Sequence, residues 1–312
     1  MPEPIAYINR RIVPASQAVV SVHDQGFLLG VTVAEQLRTF GGKLFRLSEH
    51  LNRLDRSLAI VGVDPGHSHA DFARIADEIV SHNHKLLAEG DDLGLTIFVT
   101  PGLSSFAPAP LSPPLPITTL APTVCLHTRL LPFHQWANKY RDGESLATTE
   151  VEQVSTRSWP AELKCRSRVH YYLADRQAAA RFPGARALLL DEDGLATEAT
   201  SANVLVYRRS EGLVTPPRSR ILPGISLAVL TELATTLPIT VTERNLRPAD
   251  FASADEVLLC STSPCILPVT QFDGQPVGNG KPGEVYSQLL AKWSELVQVK
   301  IAAQAAHFAV RS

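Results

Sequence analysis

At 312 residues the chain is long enough for two domains, or for one large mixed α and β unit with a substantial core. With 45% hydrophobic and 19% charged residues it has the composition of a globular protein, and a formal net charge of -2 argues against nucleic acid or anionic membrane as its main partner. A small-molecule partner is expected.

The opening "MPEPIAYINRRIV" lacks the apolar core of a signal peptide, and no later apolar run approaches roughly 18 residues, so a cytoplasmic location is expected. The segment 4–46 reads as short strands and turns, with a hairpin at Gly41-Gly42. Ser48 is placed to cap a helix through "EHLNRLDRSLAIVGV", where Leu51, Leu54, Leu58 and Ile60 fall near helical spacing. A second helix spans about 70–88, and "LGLTIFVT" reads as a buried strand. From Pro101 to Pro122 the composition shifts to Pro, Ser and Ala, which suits a linker or long loop and neither a helix interior nor a central strand. A domain boundary near 125–135 follows, giving a first domain of residues 1–130 and a second of 131–312.

The second half has its own rhythm. A helix runs from about 169 to 182, then strands "ALLLDED", "LATEA", "NVLVYRR" and "GLVTPP", a helix "ISLAVLTELATTL", a strand "ITVTERNL" and the strand-rich "DEVLLCSTSPCILPVTQFDGQPV". Residues 283–306 read as one closing amphipathic helix. Cys125, Cys165, Cys260 and Cys265 form no CxxC pair, so reduced thiols are expected. The His67/His69 and His82/His84 pairs lack acidic or Cys partners nearby and read as exposed polar residues, so no metal is expected.

Three features of this half belong together. Lys164 stands in the basic run "LKCRSRVHYY", Glu198 follows at the end of "LATE", and "LPGIS" leads into a helix. A helix N-terminus after glycine offers backbone N–H groups and a favourable dipole to a phosphate. An amine, a carboxylate and a phosphate cradle are the groups that pyridoxal phosphate requires. A lysine works as nucleophile and base only when unprotonated, and neighbouring cations and desolvation both lower its ordinary pKa of about 10.4.

In this order the motifs resemble the fold-type IV pyridoxal-phosphate enzymes, the class IV aminotransferases. That family includes branched-chain and D-amino-acid aminotransferases, (R)-amine transaminases and aminodeoxychorismate lyase. The resemblance runs over nearly the whole chain, through "DQGFLLGVTVAEQLRTFGGKLFRLSEHLNRL", "LKCRSR", "LLLDEDGLATEATSANVLVY", "TPPRSRILPGIS" and "STSPCILPV". It implies an α+β, two-domain architecture, an N-terminal α/β sandwich and a C-terminal β-barrel-like domain carrying the cofactor lysine, in a homodimer.

Carried over by position, Lys164 matches the Schiff-base lysine and Glu198 the partner of the pyridine nitrogen. Arg53 matches the phosphate-binding arginine, while Ile225, Ser226, Thr262 and Ser263 match further phosphate contacts. Arg38 and Arg168 are the candidates for a substrate carboxylate, with Arg168 favoured over Arg166. The reaction implied is transfer of an amino group between an amino acid or amine and a 2-oxo acid; a lyase releasing pyruvate is the alternative.

The chain also departs from the family's pattern. The loop after "LTIFVT" holds neither the arginine nor the histidine of the Arg-x-His pair that D-amino-acid aminotransferases commonly carry there, Ala34 replaces a common aromatic, and Val169 stands where branched-chain enzymes have tyrosine. Weak D-alanine turnover is expected from the first of these.

Overall fold

The computed structural model describes residues 3–104 and 121–310; most of the predicted Pro-rich linker lies outside the described residues. The chain divides into two compact units. The first holds Met1–Leu131 together with Leu163–Ser167, the second Pro132–Glu162 and Arg168–Ser312.

In the first unit the elements are β1 (Ile5–Ile8), β2 (Arg11–Pro14), α1 (Gln25–Leu28), β3 (Val33–Phe40), β4 (Lys43–Leu44), α2 (Leu47–Val61), α3 (His69–His84), β5 (Leu93–Thr100) and β6 (Thr123–Leu130). The strands form one antiparallel sheet in the order β2-β1-β6-β5-β3-β4. Strand alternation sends Val33, Leu37, Leu95, Ile97, Val99, Val124 and Leu126 to one face. There they meet Leu51, Leu54 and Leu58 of α2 and Phe72, Ile75 and Ile79 of α3 in one core. The predicted hairpin at Gly41-Gly42 is present, both glycines at positive φ as a tight β-turn requires.

Two sequence expectations are corrected here. Ser48 does not cap α2: the helix starts at Leu47 after Arg46, which takes a left-handed φ of 57°, and no side chain caps it. Arg46 instead pairs with Glu49 across the first turn. Strand β6, "TVCLHTRL", is not apparent from the sequence, since its apolar positions are few; pairing with β5 along its whole length makes it a strand.

Residues 163–167, assigned from sequence to the second domain, pack with the first unit. Cys165 bridges Val33, Ala34 N donates to Lys164 O at 3.0 Å and Arg166 N to Thr32 O at 2.8 Å. Ser167 Oγ donates to Gly30 O at 2.8 Å. Backbone pairing along the open edge of β3 thus outweighs chain proximity.

The second unit contains α4 (Lys139–Asp142), β7 (Glu144–Thr148), α5 (Val169–Arg181), β8 (Arg186–Leu190), β9 (Ala196–Ala199), β10 (Asn203–Arg208) and β11 (Gly212–Thr215). It continues through α6 (Ile225–Ala234), β12 (Val241–Glu243), α7 (Pro248–Ala252), β13 (Glu256–Ser261), β14 (Cys265–Phe272), β15 (Gln275–Pro276), α8 (Glu284–Val297) and α9 (Ile301–His307). Its mixed sheet runs β12-β11-β10-β13-β14-β7-β8-β9, with β15 beside β14, and curls into the barrel-like form expected. Helix α5 approaches the sheet closely because its inner face is alanine: Ala174 and Ala178 pack on Ala147, Ala187 and Leu189. The closing helix predicted as one piece is two, since Gln298 ends α8 in a left-handed conformation with φ 55°.

Candidate active site

The predicted site residues are divided between the two units. In the first, the bridge of Cys165 to Val33 fixes the register of the lysine segment. Leu163 packs on the core. Alternation then turns Lys164 and Arg166 to the opposite face of the sheet, beside Ala34 and Thr32. Lys164 is buried, and its own N–H donates to Ser57 Oγ at 3.1 Å.

Arg53 is also buried, on α2, facing the sheet. Its Nε and Nη2 donate to the two oxygens of Glu35 at 2.8 Å each, and His50 Nδ1 lies 2.7 Å from Glu35 Oε2. Burial pushes the Glu35 carboxyl up, but Arg53, His50 and the charge of Lys164 more than reverse this and hold it well below the usual carboxylate range. Burial lowers His50, and Glu35 only partly restores it, so the imidazole is neutral and gives its Nδ1–H to the carboxylate. Sequence reading singles out Arg53 but neither Glu35 nor His50; a carboxylate in a strand carries no sign of the helix it will face.

Arg38 lies on β3 four residues beyond Ala34, about 13 Å along the strand. It is buried, with Nε donating to Thr39 O and its guanidinium 4.1 Å from the centre of the Phe40 ring. On the same face as Lys164, a cavity of about 300 Å³ opens between Thr32, Thr96, Phe98, Thr100, His127 and Arg166. It places Arg166, the arginine ranked second from sequence, beside a histidine.

In the second unit Glu198 is buried on β9. Tyr171 Oη donates to its Oε1 at 2.5 Å and Gln153 Nε2 to the same oxygen at 3.0 Å. Burial raises the Glu198 carboxyl above its ordinary range, opposed by the Tyr171 hydroxyl, the Arg168 charge and the Leu222 backbone N–H. Arg168 stands just ahead of α5 with its guanidinium 5.4 Å from the centre of the Tyr171 ring.

The Leu222 contact brings the loop before α6 beside Glu198, and Asn203 Nδ2 holds that loop by donating to Leu222 O at 3.0 Å. Helix α6 then begins at Ile225 and Ser226 with Gly224 as its cap and no capping side chain, which leaves its first N–H groups for an anion. A Cβ on Gly224 would collide with Asn203 Oδ1, so any other residue there must displace that side chain. Thr262 and Ser263 form the turn between β13 and β14, next to β10 through the pairing of Cys260 with Asn203. A buried carboxylate, an open helix end and a hydroxyl-bearing turn along one sheet fit pyridoxal phosphate.

This fold, with a helix-backed antiparallel sheet and a curled mixed sheet, defines a fold-type IV enzyme. The branched-chain amino acid aminotransferase of Escherichia coli superimposes with a TM-score of 0.84 over 95% of each chain at 22% identity. Another, from T.th. and solved in complex with N-(5'-phosphopyridoxyl)-L-glutamate, gives 0.80 over 97% of this chain and 96% of that one, also at 22%. The family model for amino-transferase class IV matches residues 32–272, and the chain belongs to that family. A D-alanine aminotransferase of Bacillus licheniformis is 30% identical over 88% of this chain and 90% of its own length. The protein is therefore a pyridoxal-phosphate-dependent transaminase acting on amino-acid and 2-oxo-acid substrates. Among the described residues no helix is long and apolar enough to cross a membrane.

Proposed function

We propose that Lys164 is the amine that holds the cofactor and moves the proton, and that Glu198 is the partner of the pyridine nitrogen. The observation that carries this is the buried Lys164, tied through its backbone to Ala34 and Ser57. A lysine is seldom buried without a task.

Pyridoxal phosphate, when bound, accepts the electron pair released at the substrate α-carbon. Lys164 Nζ takes the proton from that carbon and returns it one position away, a positioned transfer that contributes about 10²- to 10⁴-fold. Glu198 keeps a proton on the pyridine nitrogen. The first N–H groups of α6 at Ile225 and Ser226, with the hydroxyls of Thr262 and Ser263, bind the phosphate, and Arg53 supplies positive charge for it. The Arg53 pair with Glu35 holds that guanidinium in one orientation.

For the substrate carboxylate, Arg38 is engaged with Phe40, and Arg168 lies over Tyr171. The cavity lined by Arg166 and His127 is the better-supported reader of an anionic group, and it lies on the Lys164 side of the sheet.

The chain is read as a homodimer in the cytoplasm. Val19, Val22, Phe27, Leu28 and Leu29 are all exposed within one short stretch, with Leu103 alongside, and a run of exposed apolar side chains of this kind suits a contact between subunits. All four cysteines are thiols, as a reducing compartment maintains them.

The decisive experiment is borohydride reduction of the holoenzyme followed by peptide mapping. Label on the Lys164 peptide is expected; label on another lysine overturns the assignment. Pyruvate formed without any amino acceptor would instead favour the lyase.

A further inference from the structure

The side-chain donors to Glu198 share one oxygen, and the Leu222 backbone N–H also stands beside the carboxylate. Both of its side-chain donors reach Oε1, and no side chain among the described residues donates to Oε2. Glu198 Oε1 accepts from Tyr171 Oη and from Gln153, which fits the Gln153 amide turned with its NH2 group toward the carboxylate. Its Nε2 therefore faces Glu198, and its Oε1 accepts from Val154 N at 3.1 Å and from His170 Nε2 at 2.9 Å. His170 is lowered by burial and by Arg168, so it is neutral, and this contact puts its single proton on Nε2. Tyr171 is raised well above its ordinary range by burial and by the Glu198 charge, so its hydroxyl stays a donor. His170 thus donates to Gln153 and Gln153 to Glu198, while Tyr171 donates to Glu198 directly, so that every proton points toward the carboxylate.

We propose that Tyr171 and Gln153 are positioning residues for Glu198, holding Oε1 so that the carboxylate stays ionised and Oε2 is kept for a cationic N–H partner, with His170 fixing the Gln153 amide. This rests on the reading of Glu198 as the partner of the pyridine nitrogen. Donors to a buried carboxylate are strong because the charge has no water to turn to. Without them the desolvated group takes up a proton, and a neutral carboxyl cannot hold a positive ring.

Tyr171→Phe keeps the ring packed against the alanine-rich cluster between α5 and the sheet and removes only the hydroxyl; Gln153→Leu removes the second donor independently. In cofactor-free protein, the infrared band of the protonated Glu198 carboxyl, identified by its loss in Glu198→Gln, is expected to persist to higher pH in both variants than in the parent. In the holoenzyme kcat should fall about ten- to a hundred-fold with KM nearly unchanged, as loss of one hydrogen bond to a charged group implies. The acid limb of the pH profile should move to higher pH. His170→Ala should give a smaller shift in the same direction.

Parent-like turnover in Glu198→Gln would remove Glu198 from the mechanism and the proposal with it. If Glu198→Gln is impaired while Tyr171→Phe and Gln153→Leu leave both the infrared titration and the pH profile unmoved, the positioning role alone is wrong. Should one variant fail to fold, the other carries the same test.

Discussion

Replacing Glu35 by glutamine should destabilise the first unit sharply and without any change in shape. The carboxylate is fully buried and receives Nε and Nη2 of Arg53 and Nδ1 of His50. An amide of the same size leaves the Arg53 guanidinium buried opposite a neutral group. Removing one partner of a buried ion pair costs about 3–5 kcal/mol, because the remaining charge has been taken out of water without compensation. At about 2–4 °C per kcal/mol for domains of this size, the melting temperature should drop by roughly 6–20 °C. Differential scanning fluorimetry of the cofactor-free protein measures this without the added stability that a ligand confers.

The pH dependence probes the same pair independently. The folded-state affinity of Glu35 for protons is depressed, so its contribution is fully present above the ordinary glutamate range. It is lost only as pH falls toward the depressed folded value. The gap between parent and Glu35→Gln should therefore be constant from about pH 6 upward and close only in strong acid. A melting temperature within about 1 °C of the parent at neutral pH would refute this account, since it would mean that Arg53 finds water or another anion at no cost.

Gly224→Ala should weaken cofactor retention, because the added methyl displaces Asn203 from the loop before α6; the fraction of cofactor surviving dialysis measures it. Phe27→Asp with Leu29→Asp should turn a dimer into a monomer in sedimentation velocity, whereas the same substitutions at an unused surface would leave the mass unchanged. Arg166→Ala and His127→Ala should raise KM for amino acids more than for a carboxylate-free amine; equal effects on both would take the carboxylate away from that cavity. Glu256→Ala should cost about 1–2 kcal/mol, since its two oxygens accept from the backbone N–H groups of Val285 and Tyr286 at the start of α8, and chemical denaturation reads the loss. D-alanine with 2-oxoglutarate should be turned over weakly, and rapid turnover would show that the Arg-x-His loop can be dispensed with.

Features with local signals are legible in the residues alone. Apolar periodicity marks α2 and α3, the glycine pair marks the turn between β3 and β4, and "LPGIS" marks an open helix end at Ile225. Lys164, Glu198 and Arg53 stand out because their motifs follow the order of the class IV aminotransferases that the sequence resembles. Which partners those groups have is settled by long-range packing. Glu35 and Arg53 are separated along the chain and meet only when α2 lies across β3; Gln153, in a stretch without regular structure, reaches Glu198 only because β8 and β9 bring the strand end beside it. Arg166 and Arg168 look equivalent in an extended reading, yet the first pairs with Thr32 beside β3 and the second begins α5 over Tyr171. Alternation along a strand can be read from a sequence, but the residue at which the strand gives way to a helix is set by the edge of β3 that Lys164 and its neighbours complete. The protonation of Glu198 and Glu35 is decided in the same way, because both are glutamates in strands and only the donors folded against them separate a carboxyl pushed up by burial from one held down by an arginine.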